Sequence, residues 1–531
     1  MRLAVTVVSP AAGRQADVVI DADPATPVAE AAAEIDRLMH GETAGAAVGA
    51  LFVGYHRVPG DMRLADSPVI DGCVVSIGDP AGCRPPEPAG IAELRVAGGP
   101  AAGTLHRLGL GEVDVGGLAP GQALIAGAPD IVIGDPAIPP VALRIYIDPE
   151  GCQVAPFADA DVLLDGRPLA SAASWGPGQQ VAVGGTLLDL VPYQPPDAAL
   201  HPAEDGAGLE FNRPPRLLPP GQAARFSLPG PPGRPERRPV PVLMAVVPVV
   251  LGVAMAYLLR QVYMLAMAAF SPVMLLGSYV SDRGYGRKSY ARQLAGYREH
   301  RARVERDAAR AVQAERLRCR HDRPDPATVL SIATGPRRRL WERRRTDPDY
   351  LLLRAGTADL PSAVELSDPA ADEHRRSRFW LIPDSPVTIH LTERAVVGAA
   401  GSAGVPRAVG RWLVAQVAVL HSPDDVQICI LTDSTGRDAW AWARWLPHCR
   451  PVEGQNCPAL IGNDPETVAA RVAELLAIIT ARREALREQG AAGGRFEHDI
   501  VVVFDGSRKL RSLPGVCLLY TSDAADDLTR V

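Results

Sequence analysis

Glycines at 398, 401 and 404 punctuate the run Gly398-Ala-Ala-Gly-Ser-Ala-Gly404-Val-Pro-Arg407. Closely spaced glycines between a strand and a helix can cradle phosphate, because backbone N–H groups approach the oxygens with no Cβ in the way. A working loop of this kind reads G-x-x-x-x-G-K-[ST], with the lysine on the β/γ-phosphates and the hydroxyl on Mg²⁺. Here Val405 and Pro406 follow Gly404, and proline has no N–H to donate. Asp505 closes an apolar run and matches a Walker B aspartate, but Gly506 follows where a catalytic glutamate often stands. The expectation is a degenerate nucleotide loop built from Gly398, Gly401 and Gly404 with a Walker-B-like Asp505. No catalytic residue, no metal-ligand set and no cofactor is expected in this chain itself.

Such a loop needs a scaffold. Arg394–Ala399 reads as a strand entering the loop and Pro406–Leu420 as an amphipathic helix leaving it. Val426–Asp433 is a buried strand, Pro465–Arg487 a long helix, and Asp499–Asp505 another strand ending in acid. Strands alternating with helices predict an α/β domain with a mainly parallel sheet, here over residues 391–516.

The chain has 531 residues, enough for three to five domains at roughly 100–200 residues each. Hydrophobic residues make up 47% and the mean hydropathy is +0.03, which excludes a mostly disordered chain. The 50 glycines and 50 prolines demand linkers or many turns. Eight scattered cysteines form no C-x-x-C pair, so a disulfide framework and a zinc ribbon are excluded in favour of reduced thiols.

The net charge of −6 hides an asymmetry. From Arg283 to Arg345 there are 19 arginines and lysines against 7 acids. Just upstream, residues 240–259 carry no charge, and after Arg260-Gln261 residues 262–280 carry none either. Twenty helical residues span about 30 Å, the thickness of a bilayer core. The pattern predicts a two-helix transmembrane hairpin over 240–280. Basic residues at both outer ends (Arg234, Arg237, Arg238; Arg283, Arg287, Lys288) place both termini in the cytoplasm and only the Arg260-Gln261 tip across. The basic block would lie beside anionic lipid.

Residues 1–85 pair alternating strands with one helix, Val28–Met39, and resemble a ubiquitin-like β-grasp. Residues 90–193 read as all-β, with short alternating runs between Gly, Pro and Asp. They resemble a forkhead-associated (FHA) β-sandwich through Val115-Gly116, Ile131–Pro136, Leu164-Asp-Gly-Arg167 and Val183–Leu190. That family binds phosphothreonine through Arg, Ser, His and Asn. The matching positions here are Gly117, Pro139, Ala142 and, approximately, Asp161, so nothing remains to hold a dianionic phosphate. A degenerate sandwich used for protein contact is expected. Residues 194–239 read as a Pro-rich extended spacer. Residues 283–325 read as a basic helical stalk with Tyr290, Leu294, Tyr297, Val304, Ala308 and Ala311 on a heptad seam that lacks a member at Arg301. Residues 326–390 read as a small β-rich linker domain.

The fold class is thus multidomain α/β plus all-β: β-grasp-like and FHA-like domains, a membrane hairpin, a stalk and a truncated P-loop-like α/β domain. This order of parts, with Arg337-Arg-Arg-Leu-Trp-Glu-Arg-Arg-Arg-Thr-Asp-Pro-Asp349 before the last domain, resembles the FtsK/SpoIIIE family. Within it the resemblance is to the FHA-bearing membrane ATPases of type VII (ESX/Ess) secretion systems. It implies the membrane-anchoring, regulatory N-terminal half of a motor in a bacterial plasma membrane. Tandem ATPase domains using ATP and Mg²⁺ would follow, with small helical secreted proteins as substrates and a ring of like subunits among other membrane subunits as partners. The alternatives are a DNA translocase of the same superfamily, whose basic block would contact DNA, and a non-enzymatic FHA-like membrane scaffold. Residues 517–531 read as the forward translation of a sequencing adapter, so no function is expected of them.

Overall fold

Leu3, Val5 and Val7 are fully buried and alternate with less buried neighbours, which fixes the first strand's inner face. In the computed structural model, β1 (Arg2–Ser9) pairs antiparallel with β2 (Arg14–Asp21) and parallel with β5 (Val74–Ile77). With β3 (Leu51–Val53) and β4 (His56–Arg57) they form a five-stranded sheet of order β2-β1-β5-β3-β4. Helix α1 (Val28–His40) buries Val28, Ala32, Ile35 and Met39 in the same core as the β1 and β5 side chains.

The structure describes residues 1–41, 49–83, 90–117, 129–157, 160–204, 206, 208–217, 224–233, 242–259, 263–371, 377–394, 396–402, 404–452, 454–489, 496–506 and 510. The tail 517–531 lies outside them. Two compact units divide the chain: residues 1–218, 322–357 and 386–531 form one, and residues 219–321 and 358–385 the other.

The first unit continues with a β-sandwich. One sheet has the order β14-β11-β10-β8-β9 and the other β13-β12-β15-β16-β6-β7. The strands are β6 (Ala92–Gly98), β7 (Leu105–Leu108), β8 (Gly111–Gly117), β9 (Ile131–Ile133), β10 (Leu143–Asp148), β11 (Gly151–Pro156), β12 (Val162–Leu164), β13 (Arg167–Pro168), β14 (Ala173–Ser174), β15 (Gln180–Val183) and β16 (Thr186–Pro192). Val115, Ile131, Ile133, Leu143, Ile145, Val154, Trp175, Val181 and Leu188 fill the space between the sheets. A short hairpin follows, β17 (Leu200–Pro202) and β18 (Leu209–Phe211).

The second unit carries β19 (Arg225–Ser227) and helices α2 (Val242–Leu259) and α3 (Tyr263–Asp322). It also holds the outer parts of two long strands, β20 (Leu352–Ser367) and β21 (Ser377–His390). β19 pairs parallel with β20, Arg225 opposite Glu365. Glu315 of α3 accepts from Ser362 and from the backbone N–H of Ala363 on β20. The expected second span and the stalk are therefore one 60-residue helix and not two elements. The heptad seam is real as a protected face: Tyr290, Leu294, Tyr297, Val304 and Ala311 are half-buried and Ala308 is fully buried. Arg301 takes the missing position, donating to the Tyr297 hydroxyl at 3.3 Å and to Glu305 at 3.0 Å. At Glu315 the helix packs on the β20 strand.

Among the described residues no helix is long and apolar enough to cross a membrane. The hairpin expected over 240–280 is not supported by them; residues 240, 241 and 260–262, at the ends of the apolar runs, lie outside.

The Pro-rich stretch is not a free spacer. Arg213 donates to Asp425 at 2.9 Å, Arg216 forks onto Asp349, and Phe211 meets Trp341 edge-on at 5.9 Å. Its first half folds into the β17–β18 hairpin, and the arginines that follow tie it down.

The rest of the first unit is an α/β domain. It comprises α4 (Pro326–Thr334), α5 (Leu391–Arg394), α6 (Val405–Leu420), β22 (Val426–Thr432), α7 (Arg437–Trp440), β23 (Ile461–Gly462), α8 (Pro465–Gln489) and β24 (Asp499–Asp505). The sheet order is β23-β22-β24, all parallel, and every residue of β22 is buried. Continuous burial explains why β22 reads as a mostly apolar run, with Gln427 and Thr432 its buried polar members. Among the described residues of the stretch 394–399 the expected strand is absent. After β21 the chain turns at His390–Thr392 and makes the single turn α5, and Val396 and Val397 are exposed.

Candidate functional site: the carboxyl edge of the parallel sheet

In open α/β sheets, ligands bind outside the carboxyl ends of the strands. Here β22 delivers Thr432 and Asp433 to that edge and β24 delivers Asp505 and Gly506. The strand ends are close: a Cβ on Gly506 would lie 2.7 Å from an Asp433 carboxylate oxygen, and one on Gly436 2.8 Å from Asp505.

Gly404 is the N-cap of α6, with φ of +90°, a conformation that L side chains rarely adopt. It sets the direction in which α6 leaves the loop. Three residues on, Arg407 donates through Nε to Asp505 Oδ2 at 2.6 Å and through a terminal nitrogen to Oδ1 at 3.2 Å. The buried indole of Trp440 donates to the same Oδ2 at 2.8 Å. Both carboxylate oxygens of Asp505 are thus engaged from within the chain. The hydrogen bond that Arg407 donates to Asp505, with that carboxylate's charge, raises the Arg407 pKa further, with Asp433 adding to it. A cation in the first turn opposes the helix dipole by about 0.3–1 kcal/mol, so this placement needs a carboxylate opposite.

The four expected site residues are only partly assembled. Gly404 and Asp505 are joined through Arg407. Gly398 and Gly401 lie exposed in the loop, with open space beside Gly398 and only Val405 and Pro406 beside Gly401. The set does not fit a magnesium-bound nucleotide: no lysine follows Gly404, Pro406 withholds an N–H, and Asp505 has no oxygen free of an internal donor. Sequence reading missed Arg407 and Trp440 as members. The available signal was a basic residue in a helix's first turn.

A second constellation explains the arginine-rich segment. Arg343 is 1% exposed. It donates to the carbonyls of Leu352 and, at 2.8 Å, Asp322, and pairs with Asp349 at 3.3 Å. Burial pushes its pKa down to about 10, still well above neutrality, with Asp349 and Glu342 opposing that fall. Arg216 forks onto Asp349 at 2.7 and 2.8 Å. Tyr350 donates to Asp499 at 2.7 Å, and burial with that bond pushes the phenol up. The Leu351 N–H donates to His421 Nε2 at 3.0 Å, and His448 Nε2 donates to the His421 carbonyl at 2.8 Å. Burial lowers His421 to about 3 and His448 to about 4, so both are neutral. Trp341 and Leu351 hold φ of 55° and 54°, a cost that the surrounding bonds must offset. This is architecture: it locks residues 341–354 against α6 and β24.

In the sandwich, Gly117 lies so close to its neighbours that a Cβ would sit 2.3 Å from the Ile138 carbonyl. Ala142 is fully buried. Pro139 and Asp161 line one cavity of about 290 Å³ with Ala137, Leu163 and Gly184. The nearby Asp135 carboxylate is spent internally, on the Thr186 hydroxyl and the N–H groups of Gly185 and Ala137.

The comparisons with known proteins point one way. Over 345 residues the chain is 30% identical to the ESX-3 secretion system protein EccC3 of Mycobacterium tuberculosis, covering 58% of this chain and 25% of that protein. The relatives are ESX secretion proteins. The EccC protein of Thermomonospora curvata is 28% identical over 198 residues, 35% of this chain and 15% of that one. The ESX-1 protein EccCa1 of M. tuberculosis is 27% identical over 239 residues, 41% and 29%. The chain spans about a quarter of the length of the EccC3 protein it matches. A solved FHA domain, from CT664 of Chlamydia trachomatis, is 25% identical and covers 20% of this chain and 99% of its own, with a TM-score of 0.17. No family model matches the chain. The resemblance to type VII secretion proteins is borne out.

Proposed function

We propose that this chain is the membrane-anchoring and regulatory part of a type VII secretion motor, held in a bacterial plasma membrane with both termini in the cytoplasm. The observation that carries the anchoring is α2. Its side chains at Val246, Val247, Val250, Leu251, Val253, Met255, Tyr257 and Leu258 are all exposed and cover somewhat more than half of the helix circumference, and the remaining residues of α2 carry no charge either. A helix that is apolar all round requires an apolar environment, and lipid supplies it. The uncharged run of residues 240–259 has the length a bilayer requires.

The carboxyl edge of the sheet is a degenerate nucleotide loop, formed by Gly398, Gly401, Gly404 and Asp505, that neither binds nor hydrolyses ATP. ATP and Mg²⁺ act in ATPase domains outside this chain, and secreted helical proteins engage there. Other membrane subunits, like copies in a ring, and anionic lipid beside the basic block are its partners. A DNA-moving role has weaker support: along α3, Arg301, Arg303 and Arg310 pair with Glu305, Glu299 and Asp307, which leaves less free charge for phosphates.

Cysteine labelling with a membrane-impermeant maleimide, with the native cysteines removed, tests the topology. Gln261→Cys should label in intact cells, whereas the exposed Ser171→Cys and Thr334→Cys should label only after lysis. Labelling of Thr334→Cys in intact cells would sink the anchoring and the motor reading together.

A further inference from the structure

The Arg407–Asp505–Trp440 cluster does more than mark a lost site. We infer that Arg407 is the resident cation of the sheet's carboxyl edge: its guanidinium takes the carboxylate on which a bound metal–nucleotide would depend, and so holds the glycine loop folded with no ligand. This rests on reading the loop as a degenerate nucleotide loop.

Three observations converge. The donors are complementary: a planar guanidinium with two nitrogens on two oxygens of one carboxylate, a geometry that a lysine cannot reproduce. The position is sheltered, since the Asp505 side chain is 17% exposed and the Trp440 indole closes over Oδ2. The connection is structural: Arg407 stands in the first turn of α6, three residues after the positive-φ Gly404, so the pair ties the loop's exit to the end of β24. In a nucleotide-binding loop the ligand's phosphates organise the backbone. Here an internal charge does so, and the domain's shape is made independent of nucleotide level. Such a domain would serve as a constant platform in the motor.

The test uses the full chain in detergent micelles, following its thermal transition by tryptophan fluorescence and loop cleavage by limited proteolysis, with and without Mg·ATP. Mg·ATP at millimolar concentration should leave the Tm and the cleavage rate of the wild-type chain unchanged. Arg407→Ala should lower the Tm of the α/β transition by roughly 4–8 °C, as expected for a sheltered charge-assisted pair. It should also speed cleavage between Gly398 and Gly404 at least several-fold. Arg407→Lys should fall between the two and remain folded, so the measurement survives if the alanine variant does not fold. Combined with Asp505→Asn, Arg407→Ala should cost little more than it does alone. Two results overturn the inference, and they differ. If Mg·ATP stabilises the wild-type chain and Asp505→Asn abolishes that, the loop is a working nucleotide site and the degenerate reading falls as well. If Mg·ATP has no effect but Arg407→Ala and Arg407→Lys leave both Tm and cleavage unchanged, the pair is idle while the degenerate reading stands.

Discussion

Two arginine–aspartate constellations sit in one α/β domain and do different work. Around Arg343 the guanidinium is out of reach of solvent and its partners are Asp349 and two backbone carbonyls. Around Arg407 the guanidinium is about a third exposed and its partner is one carboxylate at a strand's end. Burial makes the first an architectural joint, since removing a desolvated charge leaves every partner stranded. Partial exposure makes the second a local latch, which can be lost without the domain. The more recognisable sequence signature, the arginine-rich segment, belongs to the joint, and the latch lies in the less conspicuous one.

That contrast can be broken in several ways. The largest effect should follow Arg343→Met, which orphans the Asp322 and Leu352 carbonyls and part of the Asp349 charge. A loss of about 3–5 kcal/mol in urea denaturation is expected. A loss below about 1 kcal/mol would erase the distinction between joint and latch.

Acid comes next. His421 and His448 titrate at about 3 and about 4 in the folded chain, through burial, and near 6.5 once unfolded. Their folded pKa values are depressed, so between pH 6.5 and 4 the unfolded chain binds more protons. Stability is therefore complete above about pH 6.5 and declines as pH falls, by about 2 kcal/mol per histidine at pH 5. His448→Gln should flatten that decline by about half. An unchanged profile would show that His448 is not shielded as its place beside Trp341 and His421 requires.

Trp440→Phe should cost about 2 kcal/mol, from the lost donor to Asp505 and the smaller ring in a buried site, while Arg407 keeps both oxygens engaged. A cost equal to that of Arg343→Met would move the edge cluster into the joint's class. The sandwich provides the zero of the scale, since Gly117, Pro139, Ala142 and Asp161 supply no cation there. Phosphothreonine and unphosphorylated peptides should bind it equally in fluorescence anisotropy, and selective binding of the phosphorylated form would refute the degenerate reading of Gly117, Pro139 and Ala142.

The pattern of residues alone determined much of the architecture. Period-two alternation at Leu3, Val5 and Val7 marked β1, mostly apolar runs marked β22 and β24, and the heptad spacing marked the protected face of α3, because these signals express which side of an element is buried. The degeneracy of the glycine loop was also legible, since a missing lysine and an intervening proline are statements about single residues. Spacing along the chain could not show that Arg213 and Arg216 pin the Pro-rich stretch to Asp425 and Asp349, more than a hundred positions away. Nor could it show that residues 396–400 forgo the strand their valines suggest, which depends on the turn at His390–Thr392. Above all, Arg407 and Asp505 are 98 residues apart; only the parallel pairing of β22 with β24, and the angle at which Gly404 launches α6, bring the guanidinium within 2.6 Å of the carboxylate. Charge pairing across such a distance is a property of packing, and no local pattern carries it.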